Sequence, residues 1–80
     1  MRVRVLLFAR YAERAGTPVV EFDAAEGATL AALWEEVRRR IPALQADAHP
    51  LMAIDQAYAT PGRVVAPGME IAFFPPVSGG

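Results

Sequence analysis

Five large apolar residues between Thr29 and Ile41, namely Leu30, Leu33, Trp34, Val37 and Ile41, recur at helical spacing and make one stripe. Thr29 has the side chain of an N-cap and Pro42 cannot continue a helix, so the spacing predicts one helix bounded at both ends. Glu35 with Arg39 and Glu36 with Arg40 stand four apart, acid first, on the opposite face, which is expected to be solvated. This is the clearest element in the chain, and the rest of the fold has to give its stripe something to pack on.

The segments around it read as strands. From Arg2 to Ala9, Val3, Val5 and Leu7 share one parity, and Arg2, Arg4, Leu6 and Phe8 share the other. Arg10 to Ala15 is expected to make one helical turn closed by Gly16, after which Pro18 opens a second extended run with Val20 and Phe22 inward. Pro42 to Pro50 is a connector, and Leu51 to Gln56 reads as a third strand carrying Met52 and Ile54 on one side. Pro61-Gly62 and Pro67-Gly68 each predict a type II turn with a positive-φ glycine, bracketing a short strand over Arg63 to Val65, and Glu70 to Phe74 forms the last strand. One helix among several strands is too few for a doubly wound sheet, so the class is α+β, one main helix packed on a mixed sheet of four to five strands.

Eighty residues allow one small domain, and 54% hydrophobic with 21% charged residues is globular composition. No cysteine is present, which excludes disulfides, thiolate metal sites and a persulfide carried on a side chain. Eight Arg and no Lys stand against nine carboxylates, a net charge of -1 that gives no general affinity for nucleic acid or an anionic membrane. The apolar runs Val5 to Ala9 and Ile71 to Val77 fall far below the roughly 20 residues that span a bilayer, and the first is shorter than the h-region of a signal peptide. A soluble cytoplasmic protein is the expectation.

Side-chain chemistry is sparse. His49 is the only histidine, so zinc lacks a ligand set, and Ser78, the only serine, sits two residues from the end with no scaffold to hold it in a hydrolytic triad. Arg38, Arg39 and Arg40 fan around the last helical turn, where cations are favoured, and read as a solvated face. Gly62 and Gly68 belong to separate turns, so there is no phosphate loop and the chain cannot activate anything with ATP alone.

The unusual feature is the end of the chain, Phe73-Phe74-Pro75-Pro76-Val77-Ser78-Gly79-Gly80. A frayed end is the ordinary reading of such residues. Two residues without Cβ atoms also let a backbone enter a channel too narrow for side chains, which would carry the terminal carboxylate into another protein's active site. That carboxylate is ionised and unreactive at neutral pH until its oxygen becomes a better leaving group, so activation must come from a partner.

Together the VLLFA strand, the Glu13 to Gly16 turn, the Thr29 helix, the Ala53 to Gln56 segment and the ending EIAFFPPVSGG resemble the small, sulfur-carrying subunit of molybdopterin synthase, a ubiquitin-like β-grasp family. The resemblance covers the whole chain. Asp55 stands where family members often carry Asn, and the Gly-Gly end matches fully.

The resemblance implies a single β-grasp domain over residues 1–80, with 75–80 as a flexible C-terminal tail. It implies that an E1-like activating enzyme uses ATP to adenylate the Gly80 carboxylate, and that a sulfur donor converts it to a thiocarboxylate. Ser78, Gly79 and Gly80 would insert into the large synthase subunit, whose residues bind cyclic pyranopterin monophosphate and accept the sulfur. Phe8, Tyr58, Phe74, Pro75, Pro76 and Val77 are the implied partner interface, and a heterotetramer of two large and two small subunits is the implied assembly. The chain is then a non-catalytic carrier with no bound cofactor or metal. A thiamine-pathway sulfur carrier or a ubiquitin-like protein modifier would share the fold and the glycine end, and a plain binding module with its carboxylate held in a backbone nest is a rival of another class.

Overall fold

The computed structural model describes residues 1–76. In chain order the elements are β1 (Arg2–Leu7), α1 (Arg10–Ala15), β2 (Val19–Asp23), α2 (Leu30–Arg40), a 3-10 turn (Pro42–Leu44), β3 (Leu51–Ile54), β4 (Ala57–Tyr58) and β5 (Glu70–Phe74). The strands form one mixed sheet in the order β2-β1-β5-β3-β4, and α2 packs on it, the arrangement of a β-grasp fold. The two central strands, β1 and β5, run parallel with Val5 opposite Ile71 and Leu7 opposite Phe73, while the outer pairs are antiparallel.

Alternation decides which side of the sheet meets the helix. Val3, Val5 and Leu7 of β1, Ile71 and Phe73 of β5, and Met52 and Ile54 of β3 are all buried together with Leu30, Leu33, Trp34 and Val37 of α2. Phe22 of β2 is buried with them, whereas Val20 is only partly covered. Trp34 is the hub: its ring lies 4.8 Å from that of Phe73 and 5.0 Å from that of Tyr11, and its Nε1–H donates to the Asp47 carbonyl at 2.8 Å. A buried indole with a satisfied N–H combines apolar area and a directional bond in one residue.

The helix starts where the sequence places it, with the Ala32 N–H donating to Thr29 Oγ1 at 3.1 Å. Its first two amides donate to the opposite loop instead, Leu30 to the Arg63 carbonyl at 2.9 Å and Ala31 to that of Pro61 at 3.0 Å. The expected strand over Arg63 to Val65 is reduced to one isolated antiparallel bridge, Val64 with Thr29, closed by the Leu30 N–H on the Arg63 carbonyl and the Val65 N–H on the Ala28 carbonyl at 2.8 Å.

Three further expectations are corrected. The third strand ends at Ile54: Asp55 and Gln56 have φ of 50° and 70° and form the two-residue loop of a tight hairpin into β4, so Tyr58 lies in its own short strand. Gly62 does not adopt positive φ, although Gly68 does at 84°; the Arg63 N–H still closes its turn on the Thr60 carbonyl at 3.0 Å, as in a type I turn. Glu35 pairs with Arg38 at 2.7 Å rather than with Arg39, which joins Arg40 on Glu36. The turn over Arg10 to Ala15 closes as expected, on Gly16 at φ 76°.

Leu33 and Trp34 are each only 2% exposed, so truncating either to alanine opens a cavity in a core with no second layer to collapse into it. Urea unfolding of Leu33→Ala and Trp34→Ala is expected to show a loss of about 3 to 5 kcal/mol each.

Candidate functional site

Because β1 and β5 are parallel, their C-terminal ends meet at one edge of the molecule. There the Phe8 N–H donates to the Phe73 carbonyl at 3.3 Å, and the rings of Phe8 and Phe74 stack with centroids 4.6 Å apart and planes 19° from parallel. Tyr58, at the end of β4, meets Phe74 edge-on at 6.3 Å. Phe8 is 42% and Tyr58 80% exposed, while Phe74 between them is half-buried. Pro75 is half-buried and Pro76 exposed as the chain leaves β5, and Val77, Ser78, Gly79 and Gly80 lie outside the described residues.

Two residues missed by the sequence reading belong to the same cluster. Leu51, paired with Phe74 across the sheet and 39% exposed, and Arg10 line a depression of about 330 Å³ with Phe8, Phe74 and Pro75. The signal for Leu51 was present, since placing Met52 and Ile54 inward turns Leu51 outward. Beside this depression the face of the sheet away from α2 is floored by the paired alanines Ala53 and Ala72, and a groove of about 240 Å³ runs over them past Leu6 and Tyr58. Small residues there leave the neighbouring aromatic rings standing proud of the sheet.

Phe8 is held by the segment that follows it. Ala9 has φ 52° and ψ -131°, an unfavourable backbone for a residue with a Cβ, and the Tyr11 N–H closes the turn on the Phe8 carbonyl at 3.1 Å. What holds α1 in place is a buried Tyr11 and a carboxylate shared by two arginines: Arg10 at 3.3 Å and Arg14 at 2.5 Å from the Asp47 oxygens. The Tyr11 hydroxyl is buried without a protein partner. Burial, and secondarily the Asp47 charge, pushes its pKa above the ordinary 10.0, against a smaller opposing effect of Arg10 and Arg14.

Chemistry of another kind is not assembled here. Among the described residues no group of three His, Cys, Asp or Glu side chains is placed to hold a metal ion, and His49 lies exposed in the loop before β3. Nor is any helix of the described residues long and apolar enough to cross a membrane. The cluster offers a stacked aromatic surface at the root of the C-terminal segment, and no nucleophile or acid–base pair.

The description of the ThiS family matches residues 5–80. The chain belongs to the ThiS family. These are ubiquitin-like β-grasp sulfur carriers. Two relatives are named molybdopterin synthase sulfur carrier subunit: one from Arabidopsis thaliana, 31% identical over all of this chain and 84% of the relative, and one from Homo sapiens, 37% identical over 99% and 94%. Among solved structures, SAMP1 from Haloferax volcanii, a small archaeal modifier protein, is 31% identical with a TM-score of 0.86 and full coverage of both chains.

The orphaned Tyr11 hydroxyl gives a pH signature. Since the folded state favours the neutral phenol, its stabilising effect is complete below pH 10 and is lost as pH rises through the raised folded-state value, because the unfolded chain ionises first. Urea midpoints measured between pH 8 and pH 11 should fall more steeply for the native chain than for Tyr11→Phe, and equal slopes would remove Tyr11 from this role.

Proposed function

We propose that this chain is a carrier that works through the carboxylate of Gly80, with residues 75–80 as its tail. An E1-like enzyme adenylates that carboxylate with ATP, and a sulfur donor displaces AMP to leave a thiocarboxylate. The tail then enters the large subunit of molybdopterin synthase, where sulfur passes to cyclic pyranopterin monophosphate, all in the cytoplasm. The observation that carries this reading is the Phe8–Phe74 stack at the point where β5 gives way to Pro75. A partner that grips those rings fixes where the following residues begin, and stiff prolines limit where they point.

A second reading shares every step up to activation and delivers Gly80 to the amine of a target protein. The match to an archaeal modifier protein over the full chain supports it. Support is broader for the general reading, a carrier or modifier acting through its terminal glycine, than for the molybdopterin branch, which rests on the names of two relatives. Supplying the activated chain with the synthase large subunit and the pterin precursor, or with lysine-bearing proteins and no pterin, separates sulfur transfer from amide formation.

Incubation with activating enzyme, ATP and a sulfur source is expected to exchange one terminal oxygen for sulfur in the intact mass. An unchanged mass favours a non-covalent binding module. Phe74→Ala is expected to weaken binding to the large subunit by about 2 kcal/mol in a titration, and loss of folding instead would assign the ring to the core.

A further inference from the structure

β2 forms one edge of the sheet and is bonded to β1 on one side only. The Met1 ammonium donates to the Ala24 carbonyl and the Ala24 N–H to the Met1 carbonyl, each at 2.7 Å, and the Leu7 N–H donates to the Pro18 carbonyl at 2.8 Å. Alternation from these fixed points turns the main-chain groups of Val20 and Phe22 toward β1 and those of Val19, Glu21 and Asp23 outward. Thr17 closes the first of the three: its Oγ1 accepts from the Val19 N–H at 3.3 Å and donates to the Val19 carbonyl at 3.0 Å. Two N–H and two carbonyl groups, those of Glu21 and Asp23, stay open among the described residues, room for a short ladder centred on Phe22.

We propose that this edge of β2 docks an extended segment of a partner protein that carries Arg or Lys on either side of an apolar residue. The same chemistry already occupies the strand's other edge, where Arg2, Val3 and Arg4 lie opposite Asp23, Phe22 and Glu21. A guest bonded to Glu21 and Asp23 sets its two flanking side chains beside theirs, on the face away from α2, where opposite charges across a ladder attract. Arg2 already holds Glu21 at 3.0 Å, whereas Asp23 has no ion-pair partner among the described residues. The guest's middle side chain falls on the Phe22 side, beside a depression of about 310 Å³ that Asp23 shares with Ala24, Ala28, Ala32 and Leu33. Small apolar walls suit an apolar side chain, and the Arg40 guanidinium, 5.5 Å from the Phe22 ring centroid, disfavours a third cation there. A second copy of this chain is the poorer guest: pairing β2 with itself through these groups sets Glu21 against Asp23 twice and gathers four carboxylates on one face. The edge lies two strands, about 10 Å, from β5, so an occupied edge leaves Phe8, Tyr58 and Phe74 open to another partner. None of these contacts involves Gly80.

The probe is a capped peptide, Thr-Thr-Arg-Val-Arg-Thr-Thr, titrated into the isotope-labelled full chain and followed by amide NMR. The Glu21 and Asp23 amides are expected to shift and their hydrogen exchange to slow at saturation, while those of Phe8, Tyr58 and Phe74 stay in place. A peptide with Glu at both Arg positions, and one with both Arg main-chain nitrogens methylated, are each expected to bind at least about tenfold more weakly, the first through charge and the second through lost ladder bonds. Asp23→Arg, with its fold checked by circular dichroism, is expected to weaken the parent peptide by a similar factor. Because the peptide arms use the native chain alone, they decide the matter even if this variant fails to fold. Equal affinity of the parent and either altered peptide overturns the proposal, as does the absence of any shift at β2. Concentration-dependent broadening of the Glu21 and Asp23 amides without peptide makes a second copy the guest and overturns it too.

Discussion

The parallel pairing of β1 with β5 is the contact on which the remaining architecture depends. Val5 opposite Ile71 and Leu7 opposite Phe73 are almost fully buried beneath α2, and both strands are flanked on their other edges, by β2 and β3. A parallel pair cannot be joined by a short turn, so the chain between them must travel out and back, and it places the helix, the remaining strands and the connecting loops on the way. Direction also has a consequence for function. Had β5 run the other way, the C-terminal segment would emerge beside Met1, among Arg2 and Glu21, instead of beside Phe8.

A second constraint works at the same edge. Ala9 holds positive φ, a conformation that only glycine adopts without steric penalty, at a cost on the order of 1 to 3 kcal/mol. The compensation is distributed: Tyr11 enters the core against Trp34, and Asp47, only 9% exposed, binds Arg10 and Arg14 while its carbonyl accepts the indole N–H. Exposed ion pairs alone add little, but a carboxylate shielded from solvent and shared by two arginines ties the loop after α2 to α1. The result is that Phe8 leads into a short, braced helix rather than into a free loop.

Legibility in the sequence followed the range of the interactions involved. The α2 stripe, its Thr29 cap and the alternation of β1 and β5 are local patterns that appear in the structure, although β1 stops at Leu7, short of the expected Ala9, where the chain turns at positive φ. Arg63 to Val65 was not legible as a lone bridge, because its partner is Thr29 at the entry to α2, over thirty residues away in the chain. Pro61-Gly62 and Pro67-Gly68 are the same dipeptide, and only the surrounding packing makes one glycine left-handed and the other not. Tyr11 escaped notice since a six-residue helix has too few turns to show a buried face. For the candidate site, Phe8, Tyr58 and Phe74 came from parity and resemblance, whereas Arg10 came only from seeing α1 fold back beside β5.

These observations divide the work between backbone and side chains in an uncommon way. The open face of the sheet has Ala53 and Ala72 as its floor with Phe8, Tyr58 and Phe74 at one end, while Arg2, Arg4, Glu21 and Glu70 bring charge to the other. The described side chains bring no metal cluster, and the sequence brings no thiol or lysine. Under the proposed function the reacting group is a main-chain carboxylate, and the side chains of this face act in docking.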